Sequence, residues 1–325
     1  MLPIRVEVTR RDSVESAHEV HAVVLDARGR IVESWGDAEL SVYWRSSAKP
    51  LQAIPVVETG AARHCKLTPA ELALCCASHN GAELHVATAR SILRKAGVSP
   101  EWLQCRTHQE CAESTFRCSG PSDSLDDTLR HNCSGKHSGM LTTAQFRGEP
   151  LADYREPTHP VQQRVLAAVS SFSEVPRGQL EATVVPDGCG APIFATPLRS
   201  LALAYAKFGI GATDSARTLR DAMTAHPEMV AGPGAFNTVL MQQLGDLLVC
   251  KSGAEGVFGL GLRTGTGVAM KVMDGNHRAT AVAALAILRN LQLVPLDRLA
   301  PLHELAEPAM RNGHQVAVGM MRAKV

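Results

Sequence analysis

Three short stretches put serine and lysine within chemical reach of each other. In "RSSAKP", Ser46 precedes Lys49 by three residues, and at a helix start that spacing sets both side chains on one face. A serine hydroxyl is a poor nucleophile until a base takes its proton. Lysine can be that base only when desolvation or a neighbouring positive charge pulls its pKa down from about 10.4. The start of a helix also offers free N–H groups to a developing oxyanion. "CCASHNG" supplies Ser78-His79-Asn80 at the end of a predicted helix, and "CKSGAEG" supplies Lys251-Ser252-Gly253 at the end of a predicted strand. Alone, Ser-x-x-Lys is a common accident. The three elements together, in this order, are a specific signal.

A second kind of chemistry is suggested by "HNCSGKHSGM" at 131–140 and by "PDGCGAP" around Cys189. The first is no phosphate loop, because Gly135-Lys136 is followed by His137 and Arg130 stands where the leading glycine belongs. The chain has nine cysteines at irregular spacing, which argues against a disulfide framework and leaves packing, metal binding or catalysis. Cys75 and Cys250 sit in apolar runs, as structural cysteines do, whereas Cys133 and Cys189 lie beside glycines and polar residues. Two isolated cysteines do not make a zinc-finger pattern. From spacing alone, a metal site and plain turn chemistry both stay open.

The elements that must position these residues follow from the patterning. "IRVEVTR" and "EVHAVVLDARGRIVESWG" alternate as strands around the turn at Ala27-Arg28-Gly29. From Arg45 to about Val175 the pattern is mostly helical. "LTPAELALCCASH" opens with Thr68 as N-cap and Pro69 at the first helical position, "AELHVATARSILRKAGV" stops at Gly97, and "PVQQRVLAAVSSFS" is similar. "EATVVPDGCG" reads as a short buried strand entering a glycine turn. Helices are expected near 197–208, 214–225 and 235–245, then three strands within "GDLLVCKSGAEGVFGLGLRTGTGVAMKVMDG" and a closing helix, "RATAVAALAILRNLQ". The expected architecture is α/β: an antiparallel sheet built from both chain ends with flanking helices plus a mainly helical insert. This divides the chain into 1–44 with 176–325, and 45–175.

Composition narrows the function classes. The 325 residues are 45% hydrophobic and 20% charged with a net charge of +1, which describes an ordinary globular protein and gives no electrostatic case for nucleic acid or an anionic membrane. Aromatic residues at 4% offer no base-stacking platform, and no apolar run approaches the ~20 residues that span a bilayer. With charges where a signal peptide would be apolar, a cytoplasmic location is expected.

The order Ser-x-x-Lys, Ser-x-Asn, Lys-Ser/Thr-Gly resembles the acyl-serine enzymes of the β-lactamase and penicillin-binding type. More closely, "RSSAKPLQA", "CCASHNGAELH", "HNCSGKHSGML", "AHPEMVAG", "VPDGCGAP" and "CKSGAEGVFG" resemble the rhizobial-type, or class 3, L-asparaginases (asparaginase II), which are related in fold to serine β-lactamases and glutaminases. The resemblance covers nearly the whole chain. It implies hydrolysis of L-asparagine to L-aspartate and ammonia by a homodimer. It implies two facing couples, Ser46 with Lys49 and Ser78 with Lys251, with Ser46 as nucleophile and Lys49 as its base; Lys271, on a neighbouring predicted strand, competes for the second lysine. It further implies a Zn2+ ion held by Cys133, Lys136 and Cys189, with Lys136 as a neutral amine, and a pocket lined by Arg45, His137 and Asp187. For Asp187 a plain capping role in its own turn is the competing reading. Glutamine as substrate, other acyl-serine hydrolysis, and an amino-acid-binding module are the alternatives.

Overall fold

The computed structural model describes residues 1–105 and 125–325; Cys111 and Cys118 fall outside them. The strands are β1 (Ile4–Arg10), β2 (Ser13–Leu25), β3 (Ile31–Trp35), β4 (Ser41–Tyr43), β5 (Val185–Pro186), β6 (Pro192–Ile193), β7 (Ala195–Pro197), β8 (Leu248–Gly253), β9 (Val257–Leu262), β10 (Gly267–Val272), β11 (Ala309–Arg311) and β12 (Ala317–Lys324). The main sheet runs β11-β12-β1-β2-β10-β9-β8, with β3 also paired to β2. Every pairing is antiparallel. Both chain ends therefore build one sheet, with Arg5 opposite Lys324 and Val20 opposite Val272.

β8, β9 and β10 are almost wholly buried. That fits their near-continuous apolar composition, since a strand covered on both faces loses the usual alternation. One cover is the helix Leu198–Ile210, which packs on β9, β10 and β2. From Arg45 to Glu181 the described elements are helical. Pro69–Cys75 starts with a complete capping box: Thr68 Oγ1 accepts from the Glu71 N–H, and the Glu71 carboxylate accepts from the Thr68 N–H.

The helix Ser134–Arg147 lies deep in the molecule, with Ser134 through Ala144 all buried. Gly135 and Gly139 are one turn apart and face Pro69–Cys75. A Cβ on Gly135 would stand 2.2 Å from the Leu74 carbonyl oxygen, and one on Gly139 would stand 3.0 Å from Cys75 Sγ. Glycine is what allows these two helices to touch. The buried hydroxyls of Ser138, Thr142 and Thr143 donate to carbonyls one turn back, so none is stranded.

Three local expectations need correction. Val185–Pro186 is an exposed two-residue strand, not a buried one, and its partner β6 carries the burial. Arg278–Asn290 is not the last element, for short helices and β11 and β12 follow it. Ser78 lies beyond its helix, which ends at Cys75.

Candidate active site

The site begins at a short 3₁₀ turn, Arg45–Ala48, running into a helical turn at Lys49–Gln52. Trp44 anchors it. Its buried indole donates from Nε1 to Thr196 Oγ1 at 2.7 Å, and its N–H donates to the Phe194 carbonyl. Tyr205, from the helix Leu198–Ile210, donates its hydroxyl to the Ser47 carbonyl at 2.7 Å. Ser47 turns its own hydroxyl inward to the Trp44 carbonyl. Ser46 is the partly exposed serine of the pair, and its hydroxyl makes no hydrogen bond among the described residues. The Lys49 N–H donates to the Ser46 carbonyl, fixing the two residues one turn apart.

Gly253, at the end of β8, lies against this turn. A Cβ there would stand 2.7 Å from the Trp44 oxygen and 3.3 Å from the Ser46 nitrogen. The close approach brings Lys251 into the same buried space. Lys49 and Lys251 are both wholly buried, and Ser78 is 6% exposed between them. Lys49 Nζ stands 2.8 Å from Ser78 Oγ and Lys251 Nζ stands 2.9 Å from it. Lys49 also donates to the carbonyls of Ala77 (2.7 Å) and Asn132 (3.3 Å), and Lys251 to that of Ser252 (2.7 Å). Burial first, and the neighbouring charge of Lys49 second, hold the Lys251 pKa well below the usual lysine range. Lys271 is elsewhere: its amine is spent on the Val272 carbonyl.

Around Ser78 the support is precise. Its N–H donates to the Val230 carbonyl within the "AHPEMVAG" stretch. The next residue, His79, takes the Gly81 N–H on Nδ1 (3.1 Å) and meets Ser134 Oγ through Nε2 (3.0 Å). The Ser134 hydroxyl donates to Leu129 O, so His79 Nε2 is the donor in that contact. Burial pushes the His79 pKa well down, so the ring is neutral.

The other expected group gathers beside this one. Cys133 precedes the helix Ser134–Arg147, Lys136 follows one turn on, and Cys189 sits in the turn Asp187–Gly190; all three are buried. Lys136 Nζ lies 3.0 Å from Cys189 Sγ. The adjoining Cys133 and then the Lys136 charge lower the Cys189 pKa well below the usual thiol range, while the same contact and burial push Cys133 up. Burial opposes a charge on Lys136, but the attraction of Cys189, Cys133 and Asp187 outweighs it and raises its pKa. Asn132 joins the two groups: its main-chain carbonyl accepts from Lys49, and its side-chain carbonyl accepts from Cys133 Sγ at 3.1 Å.

Of the three residues expected to line the pocket, Arg45 and Asp187 pair with each other, Nε to Oδ1 at 2.8 Å and partly buried. Asp187 spends its carboxylate on Arg45, which weakens the plain turn-capping reading. Arg45 adopts φ of +47°, a strained backbone for a non-glycine residue directly before Ser46. His137 lies beside Cys189 and Tyr154.

With this geometry in hand, comparison with known proteins decides the family. The family model described as L-asparaginase II matches residues 6–323. The chain belongs to the L-asparaginase II family. No curated protein matches it. Among solved structures, the crystal structure of Mglu in its glutamate form matches at 15% identity and a TM-score of 0.39. The match covers 86% of this chain, which spans 62% of the length of that one. No helix among the described residues is long and apolar enough to cross a membrane.

The zinc expectation turns on the donor set. Among the described residues no group of three or more His, Cys, Asp or Glu is placed to share an ion, so a site here depends on the Lys136 amine. Two sulfurs and a nitrogen within one buried cluster are the donors zinc prefers, with a fourth position left for water. Asn132, Tyr154 and His79 are the site residues that motif reading missed. Asn132 and His79 stood inside the quoted stretches, while Tyr154 gave no signal of its own.

Proposed function

We propose that this asparaginase hydrolyses the side-chain amide of L-asparagine through an ester on Ser46, driven by a proton chain Lys49–Ser78–Lys251. The convergence of two buried lysines on one serine hydroxyl carries the reading. Two adjacent ammonium groups repel each other, so the pair holds one proton fewer, and Lys251 is the neutral member. A proton passes from Lys49 to Ser78 as Ser78 gives its own to neutral Lys251. Lys49, now neutral, accepts the Ser46 proton while Oγ attacks the amide carbon. Running back, the chain protonates the leaving nitrogen through Ser78; the C–N bond breaks and ammonia departs. Water then attacks the ester with the lysines again taking a proton, and aspartate and Ser46 are restored. Each proton is conserved through the cycle.

Cys133, Lys136 and Cys189 would hold Zn2+, with Lys136 and Cys133 giving up their protons on binding. An ion held there would supply Lewis-acid polarisation of a substrate oxygen or a fixed point for the substrate. Arg45 and Asp187, a matched pair of charges at the mouth, suit the carboxylate and ammonium ends of an amino acid. The family resemblance adds a cytoplasmic homodimer to this proposal.

The test is ammonia release from asparagine and glutamine, with acid-quenched mass spectrometry for the acyl adduct. Ser46→Ala should lose at least about 10⁴-fold in kcat and show no adduct. Ser78→Ala should lose about 10²- to 10⁴-fold, the worth of a proton-transfer group, with the adduct on Ser46 still detectable. An adduct on Ser78, or normal turnover by Ser46→Ala, would sink the assignment.

A further inference from the structure

Hydrogen-bond accounting around Tyr154 bears on His137, whose role the proton chain leaves open. Tyr154 is wholly buried. Its turn is held by Gln104, whose side chain bonds Ala152 O and Arg155 Nε, and by Gln162, which donates to Tyr154 O at 2.8 Å. The phenol oxygen accepts the Gln104 N–H at 3.0 Å and contacts His137 Nδ1. The rings meet edge to face, with centroids 5.5 Å apart. A phenol has one hydrogen to give. Gln104 N–H is itself a donor and cannot take it, so among the described residues His137 Nδ1 is the acceptor that remains. That leaves the other ring nitrogen carrying the imidazole proton. His137 Nε2 is buried and no nitrogen or oxygen of the described residues pairs with it; the Cys189 sulfur lies beside that end of the ring, within reach of its N–H.

We propose that Tyr154 is a positioning residue that fixes His137 as its Nε2–H tautomer, so that the ring turns an N–H, and not a lone pair, toward the Cys189 sulfur. An N–H cannot also coordinate a metal, so His137 stays out of the zinc shell despite lying next to it. The alternative tautomer would let Nε2 ligate, with Nδ1–H given to the phenol; the phenol hydrogen would then be buried with no acceptor, and a stranded polar group is costly.

The tautomer itself is read without zinc or substrate. In metal-free protein with ¹⁵N-labelled histidine, long-range ¹H–¹⁵N correlation should show His137 protonated on Nε2, its signals assigned by their loss in His137→Gln. In Tyr154→Phe the phenol hydrogen is gone, and the His137 tautomer should mix or reverse. A wild-type Nδ1–H tautomer, or an unchanged tautomer in folded Tyr154→Phe, overturns the proposal; if Tyr154→Phe fails to fold, the wild-type spectrum decides alone. X-ray absorption on zinc-loaded protein should show sulfur and amine scattering without imidazole, and imidazole in the shell overturns it too.

Discussion

Lys251 is the residue whose charge decides whether the proton chain can run. Its folded-state pKa lies well below its ordinary value of 10.5 because burial and Lys49 disfavour the ammonium. Activity should therefore rise with pH as Lys251 loses its proton and fall as pH drops through the lowered value, which a kcat–pH profile measures. Stability carries the same sign. Between the lowered value and 10.5 the unfolded chain binds a proton that the folded chain does not, so stability is greatest above the unfolded value and declines as pH falls. Lys251→Met removes that cost, so at neutral pH it should abolish turnover while raising the urea midpoint. A midpoint that falls instead would contradict the neutral-lysine account. Spacing made Ser46, Lys49, Ser78 and Lys251 legible one by one. It could not show that both lysines meet on Ser78, because that depends on where a strand and a loop end up in space. Tyr154 was illegible for the same reason: its partner His137 lies 17 residues away with no periodic link.

At the scale of elements, the apposition of β8 and the Arg45–Ala48 turn is what joins the serine-bearing and lysine-bearing segments. Gly253→Ala places a methyl group 2.7 Å from a carbonyl that is itself anchored by Trp44. The turn must shift, and a misplacement of that order can cost about 10²-fold in rate. We expect Gly253→Ala to lower kcat by one to two powers of ten, on the order of that estimate, with near-wild-type circular dichroism. Unchanged kinetics would show that the close approach is dispensable. The strands and most helices followed from alternation, caps and glycines. β11 and β12 did not, being largely exposed and short of the buried apolar run that marks a core strand. Ser134–Arg147 also lacked a helical signature. A helix buried nearly all round has no polar stripe to set off an apolar one, and here serines, threonines and glycines line much of it.

For the whole molecule, the proton chain draws on residues far apart along the polypeptide. Lys49 meets Ser78 across 29 positions, but Lys251 meets it across 173. Closing a contact that long requires the sheet to be joined to the helices, and non-local pairings of this kind form late. Helical content can return well before β8 seats against the Arg45 turn. On dilution from denaturant, far-ultraviolet dichroism should recover first and ammonia release should lag it as a separate, slower phase. Superimposable recoveries would mean that the two segments dock as early as the helices form. The distance that puts the Ser78–Lys251 contact beyond any local spacing pattern thus also makes it a clock: the site becomes competent only when its slowest tertiary contact has closed.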